Sequence, residues 1–383
     1  MEVHPRFELG LTAKDVIRML NYNSNELTND IIFLKDHLHV KHTLPASSGR
    51  VALYHILKML NLPNKSKIGV PLYCCTVVFE AIQRAGHIPI FLDIDEETLT
   101  VDFTTNREKF DQLDAMIVVH TFGIPADMKK IQEKIQDIPL IEDCAHSPLS
   151  KSRNEYCGSF GNAAFFSFGL GKPISTGGGG LIGWNLETES LDINILRFKY
   201  KPLYKIIKSW IASYLSHNNL YYTFGRTVRK KASSFTDIGN STEFIEKYFE
   251  ACFIGLARYK LESLIMDVET LKKTRLTLQN KLSEGLTITE PKWGEWNSFL
   301  FPIRVNSGRE KVAFKMFKRG YDCAPMYSNV PSIARNSYGY RGDCPNAEKA
   351  SKTILTVPHR WVKTEEHAEL MAKDIEESMR CQE

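Results

Sequence analysis

From about residue 45 to 185 the chain alternates short apolar runs with stretches of helical periodicity. Ser47-Ser48-Gly49 precedes Val51, Leu53, Ile56, Leu57 and Leu60, a spacing that predicts a helix capped by serine. Strands are predicted at 68–70, 88–92, 116–119 and 139–141, with helices at 76–85 and 126–135 between them. Residues 163–168 and 181–184 bracket a glycine-rich turn and read as two more strands. Such alternation builds a mostly parallel sheet covered by helices on both faces, so the expected class is α/β. In sheets of this kind ligands sit at the carboxyl ends of the strands, where the polar residues of interest fall here.

The pattern then changes twice. Residues 243–282 read as helical, with Phe244, Phe249, Leu256, Leu264 and Leu271 among charges. Residues 297–383 read as a small α/β unit: a strand at 299–305, a helix at 309–318, a loop rich in Pro, Asn and Gly, and a terminal helix from Thr364. The expected organisation is a large domain over 1–240 with an insert at 190–235, linking helices over 241–282, and a small C-terminal domain over 283–383.

Composition narrows the class. With 43% hydrophobic and 25% charged residues in 383, the chain can bury a sizeable core. A net charge of +4 is too mild to imply nucleic acid, and the eight cysteines offer no CxxC pair, which fits a reducing cytosol and no metal site. The N-terminus lacks a signal-peptide core, and no uncharged apolar run reaches the ~18–20 residues that span a bilayer. A cytoplasmic protein is expected.

Three segments point to one cofactor. Lys172 follows a predicted strand end beside a glycine-rich turn, where a neutral amine can form an imine with an aldehyde. By itself such a lysine is more often a surface residue. Asp143 lies at the end of another strand, 29 residues earlier; pyridoxal phosphate (PLP) needs a carboxylate against its ring nitrogen, and His146 could reach the ring's 3-oxygen. Ser48-Gly49-Arg50 opens a helix whose N–H groups and positive end would take a phosphate, with the Ser167 hydroxyl joining from another segment.

These residues sit in motifs that resemble the DegT/DnrJ/EryC1/StrS sugar aminotransferases, of PLP fold type I. The resemblance runs from Ser47 to Trp184 through Val70-Pro71, Phe91-Leu92-Asp93-Ile94-Asp95, the His120 to Met128 run, Glu142-Asp143-Cys144-Ala145-His146 and Ser167-Phe168 ahead of Lys172. It resumes at Asp343-Cys344-Pro345. It implies that Lys172 is the Schiff-base lysine, Asp143 the partner of the ring nitrogen, His146 a ring neighbour and Ser167 a phosphate ligand. It further implies L-glutamate as donor, a nucleotide-linked keto-sugar as acceptor and a homodimer. Related dehydratases carry histidine in place of this lysine, so Lys172 favours transamination. Cys75 stands where the family often has a ring-stacking aromatic, Gly177 to Gly180 replaces a turn that usually holds Glu, and no Asn-Tyr-Arg type motif is recognisable around 235–250. Tyr327, His359 and Arg360 are substrate-side candidates from the small domain. The rival readings are a PLP enzyme for another carbonyl substrate, a PLP-dependent dehydratase, and a non-catalytic relative of the fold.

One stretch stays outside this account. Leu203, Ile206, Ile207, Trp210, Ile211, Tyr214 and Leu215 follow helical spacing, with Lys205, Lys208, Ser209 and Ser213 opposite. Between Arg197 and Lys231 there are nine Lys/Arg and no Asp/Glu. Its chemistry is that of a membrane-surface helix, giving a peripheral contact at the inner face through 197–231. Amphipathic helices mostly face protein, however, so packing on its own domain or a partner subunit is the stronger expectation.

Overall fold

Asp93, at the edge of a buried strand, reaches across to cap a helix some 250 residues later, and that link sets how the chain closes. The computed structural model describes residues 3–5, 10–187, 197–199, 203–216 and 248–380. Two helices, α1 (Ala13–Leu20) and α2 (Leu27–His37), precede strand β1 (His42–Ala46). The α/β run follows as α3 (Gly49–Met59), β2 (Lys67–Pro71), α4 (Val77–Arg84), β3 (Ile88–Leu92), α5 (Arg107–Phe110), β4 (Ala115–Val119), α6 (Met128–Lys134) and β5 (Leu140–Asp143). A short ribbon, β6 (Lys151–Ser152) and β7 (Glu155–Tyr156), leads to β8 (Ala163–Ser167) and β9 (Gly180–Trp184).

Seven of these strands form one sheet in the order β1-β9-β8-β5-β4-β2-β3. β9 runs antiparallel to both its neighbours, and the remaining pairs are parallel. The sheet is therefore mixed but mostly parallel, as the alternation predicts. All five residues of β4 are buried, which a central strand covered on both faces requires. β1 was not predicted. Its sequence, HTLPA, carries a proline and no run of β-branched residues; pairing from Ala46 with Gly180 to His42 with Trp184 makes it a strand.

Further along come β10 (Arg197–Lys199), α7 (Leu203–Ser216), β11 (Tyr248–Glu250) and the long helix α8 (Ala251–Gln279). α8 carries much of the predicted 243–282 helix, but Phe249 lies in β11, paired with β10, and Phe244 lies outside the described residues. The C-terminal part holds β12 (Gly294–Glu295), β13 (Phe301–Arg304), α9 (Arg309–Lys318), α10 (Val330–Tyr338), α11 (Pro345–Thr353), β14 (Ile354–Val357) and α12 (Glu365–Arg380). The strand at 299–305 and the helices at 309–318 and from Thr364 are found close to their predicted places. α10, α11 and β14 occupy what reads in sequence as loop. Both missed helices carry proline in their first turn, Pro331 and Pro345, where its absent N–H costs nothing. Such prolines start helices, although in sequence they look like breakers. His4 forms a parallel bridge with Tyr321, so the N-terminus lies against this C-terminal unit.

Asp93 ties the halves together. Its carboxylate, fully buried, accepts from the N–H of Asn346 at 3.1 Å and of Ala347 at 2.8 Å, the first turn of α11. Replacing it by alanine strands both donors in the interior. Asp93→Ala is expected to lower the unfolding free energy by about 1–3 kcal/mol in equilibrium urea denaturation; a change under about 0.5 kcal/mol would mean the link bears no load.

Candidate functional site

β8 ends at Ser167, and the first turn of α3 lies against it. A Cβ on Gly49 would stand 2.7 Å from the Ser167 Cβ, so no other residue fits this approach without a shift. On the opposite side a Cβ on Gly180 would come within 2.7 Å of the Gly49 nitrogen. Ser48 caps the helix by accepting from Val51 N–H at 3.3 Å, and Gly179 N–H donates to the Ser47 carbonyl at 2.9 Å. The start of α3 is thus wedged between the ends of β8 and β9. Its positive pole, with Ser48, Gly49 and Arg50 in the turn, stands beside the Ser167 hydroxyl. That is the chemistry of an anion site.

β5 delivers the acidic group. Asp143 is buried, and its Oδ1 accepts from Ala145 N–H at 3.0 Å. Burial pushes its carboxyl above the usual range, and the nearby Lys172 ammonium pulls it partly back. Lys172 Nζ lies 3.0 Å from His146 Nε2. Burial, reinforced by the Lys172 charge, holds His146 well below the ordinary imidazole range. The ring is therefore neutral, and its Nε2 accepts a hydrogen bond from the lysine.

Aromatic groups close the cluster. Tyr327, from the C-terminal unit, is edge-on to Tyr73 at 5.3 Å and nearly parallel to Phe122 at 5.9 Å. Burial, then the neighbouring Cys75, Cys74 and Asp143, drive its phenol well above its usual range. Cys75 and Asp143 thus lie within electrostatic reach of Tyr327, and Lys172 meets His146 directly. His359 and Arg360 are placed differently. The His359 Nε2–H donates to the Ser298 carbonyl at 2.8 Å, and Arg360 lies over the Phe299 ring at 5.1 Å.

Several supporting residues have no signature in sequence. Asn297, buried, donates from Nδ2 to the carbonyls of His146 at 2.8 Å and Pro148 at 2.9 Å. Trp296 donates to the Phe122 carbonyl at 3.0 Å and Trp293 to the Pro125 carbonyl at 3.1 Å. Phe122 itself sits at φ +59° in a tight turn. One segment from the C-terminal part thus clamps both loops that follow β4 and β5. Its residues become partners only across 149 positions or more, so no local spacing marks them.

A second buried polar group lies behind the site. One atom each from His120, Glu142 and Cys144 falls within a 4.8 Å span. Glu142, however, accepts from the N–H groups of Gly158, Phe160 and Gly161 as well as from His120 Nε2 at 3.0 Å. His120 Nδ1 accepts from Ala126 N–H, which fixes the ring proton on Nε2. With those lone pairs already engaged, this is a structural knot rather than a metal centre.

Known proteins resemble this chain in sequence and in fold. The model of the DegT/DnrJ/EryC1/StrS aminotransferase family matches residues 32–206 and so ends inside α7. GDP-perosamine synthase of Escherichia coli O157:H7 is 31% identical over 270 residues, 66% of this chain and 72% of that protein. The chain belongs to the DegT/DnrJ/EryC1/StrS aminotransferase family. It is therefore a PLP-dependent aminotransferase. UDP-N-acetyl-3-dehydro-alpha-D-glucosamine 3-aminotransferase of Acidithiobacillus ferrooxidans is 31% identical over 149 residues, 37% of this chain and 39% of that one. Among solved structures, the aminotransferase TlmJ of Streptoalloteichus hindustanus superposes with a TM-score of 0.73 at 18% identity, covering all of both chains; it supports the fold. The site of this aminotransferase fits the cofactor by its own chemistry. A carboxylate that burial makes costly calls for a cationic ring nitrogen, and the wedge at Gly49 presents a helix pole to a phosphate.

Two of the buried histidines, His146 and His359, set a pH dependence. His146 is held neutral, and burial and Arg360 bring His359 down to about 3. Each takes a proton more readily when unfolded, so their stabilisation is complete above about pH 6.5 and is lost as pH falls below it. For His359 that loss amounts to about 2 kcal/mol by pH 5. Unfolding free energies measured from pH 7 to 5 should show a shallower slope for His359→Gln than for the parent; parallel slopes would refute the assignment.

Proposed function

We propose that the cluster holds PLP with Lys172 as its covalent anchor and moves an amino group from an amino acid to a nucleotide-linked keto-sugar. The observation that carries this is the meeting of Lys172 Nζ with a neutral His146, near the buried Asp143, with the α3 wedge set against Ser167. In this reading Asp143 faces the ring nitrogen, His146 lies by the ring, and Ser167 with the Ser48, Gly49 and Arg50 turn holds the phosphate. Cys75 and Tyr327 border the ring, while His359 and Arg360 stand behind as support. L-Glutamate is the donor and the enzyme works as a homodimer, as the resemblance implies, and the cysteine pattern suits the cytoplasm.

When bound, PLP supplies an electron sink for charge at the amino-bearing carbon. The protein's own residues do the rest. Asp143, kept from water by burial, holds its negative charge where a protonated ring nitrogen stabilises it. Lys172 Nζ, freed when the donor amine enters, is the base that takes the substrate proton and the acid that returns it. His146, accepting from Nζ, orients that amine between the two transfers. The GDP-linked and UDP-linked sugars in the relatives' names support a nucleotide-sugar acceptor.

The test begins with the visible absorbance of the holoenzyme. L-Glutamate alone should convert the bound cofactor to its amino form, and a panel of GDP- and UDP-linked keto-sugars should restore the original spectrum. Lys172→Ala is expected to abolish turnover, and Asp143→Asn to lower kcat at least about 100-fold, the loss of a charge-stabilising group. A spectrum unmoved by glutamate overturns the donor. Restoration by simple keto acids but by none of the sugars overturns the acceptor.

A further inference from the structure

The helix α7 is turned the wrong way for a soluble protein. Ile206, Ser209 and Ser213 face inward and are buried. The Ser213 hydroxyl accepts from Leu11 N–H at 2.9 Å, and the Ser209 hydroxyl donates to the Gly177 carbonyl at 3.3 Å. Lys205 is paired with Glu250 at 2.6 Å. Ile206 joins a small core with Leu11, Met19, Phe253 and Leu256 from α1, α8 and the segment before α1. The helix therefore rests on its own domain, but through its serine side.

The apolar side is left in solvent. Leu203, Ile207, Ile211 and Tyr214 repeat at helical spacing and are 54%, 41%, 46% and 56% exposed; Tyr204 beside them is 75% exposed. Exposing aliphatic residues together along one helix face is costly unless something covers them. The stripe has aromatic groups along its length, Tyr204, Trp210 and Tyr214, and Lys208 at its edge, its ammonium 5.9 Å from the Tyr204 ring. The surrounding sequence, Arg197 to Lys231, carries nine cations and no acid, while the rest of the chain is net acidic.

We propose that this face of α7 docks on an anionic lipid surface. Apolar side chains would enter the acyl boundary, with the tyrosines and lysines at headgroup level. The stripe is too small to hold a second protein by itself. Fourteen residues make a helix about 21 Å long, and a face ~10 Å wide offers roughly 200 Å². A stable protein interface needs roughly 800 Å² from each partner. A bilayer needs no such complementarity, and charge supplies its long-range attraction. Among the described residues no helix is long and apolar enough to cross a membrane, so the contact is one of lying on the surface.

Co-sedimentation of the PLP-loaded full chain with vesicles provides the test. Vesicles of phosphatidylcholine with phosphatidylglycerol should bind the protein at low salt, pure phosphatidylcholine much less, and added salt should release it. Ile207→Ser with Ile211→Ser should weaken binding at least about tenfold, and Lys208→Glu should weaken it several-fold. Both variants change exposed positions, so the cofactor absorbance and circular dichroism of the parent should be kept. Absence of binding to anionic vesicles at low salt overturns the proposal, as does binding that the double variant leaves unchanged. If the double variant instead halves the mass seen by light scattering, the stripe belongs to a second copy and the lipid assignment falls.

Discussion

The approach of α3 to the sheet is the constraint on which the rest depends. Gly49 lies so near Ser167, and Gly180 so near Gly49, that neither position has room for a methyl group. This contact brings a helix pole, a hydroxyl and the turn leading to Lys172 into one place. It also explains the run from Gly177 to Gly180, which in sequence looks like a lost functional turn. Part of that run is glycine because its neighbours are the start of α3 on one side and Phe253 of α8 and Ser209 of α7 on the other.

A second set of interactions fixes what the strands deliver. β4 and β5 run out into loops, and loops alone would not hold Phe122 and His146 in register. Asn297 and Trp296 hold them, each spending a buried donor on a loop carbonyl. Arg275, itself fully buried, supports that segment by donating to Ser298 at 2.8 Å and pairing with Glu290 at 2.7 Å. The C-terminal part thus shapes the site twice, by this clamp and by bringing in Tyr327. Behind the strands the His120 and Glu142 knot performs the same service for the backbone at 158–161.

α7 connects the periphery to this centre. Its serine side presses on the glycine run through Ser209, and the same run supports the start of α3. The orientation of the helix follows from those small residues, which allow close packing that the bulkier apolar face would not. Amphipathic spacing correctly predicts a helix here. Which side faces the protein is decided by the shape of the surface it meets.

Much of the fold and the centre of the site were legible in the chain itself. Alternating periodicity located the sheet strands β2, β3, β4, β5, β8 and β9, because strands covered on both faces are continuous apolar runs whatever surrounds them. Lys172, Asp143, His146 and Ser167 stood out because strand ends and a serine-capped helix start have local signatures. The edge strand β1, the proline-initiated helices α10 and α11, and the supporting role of Asn297 did not, since each depends on partners far along the chain. Sequence determined which groups are present and which elements carry them, for those are fixed by neighbours a few residues apart. Only the tertiary structure decided that a glycine wedge would set the helix against Ser167, that Tyr327 would pack on Tyr73 and Phe122, and that the serine side of α7 would turn inward, because packing is settled by atoms brought together across the whole chain.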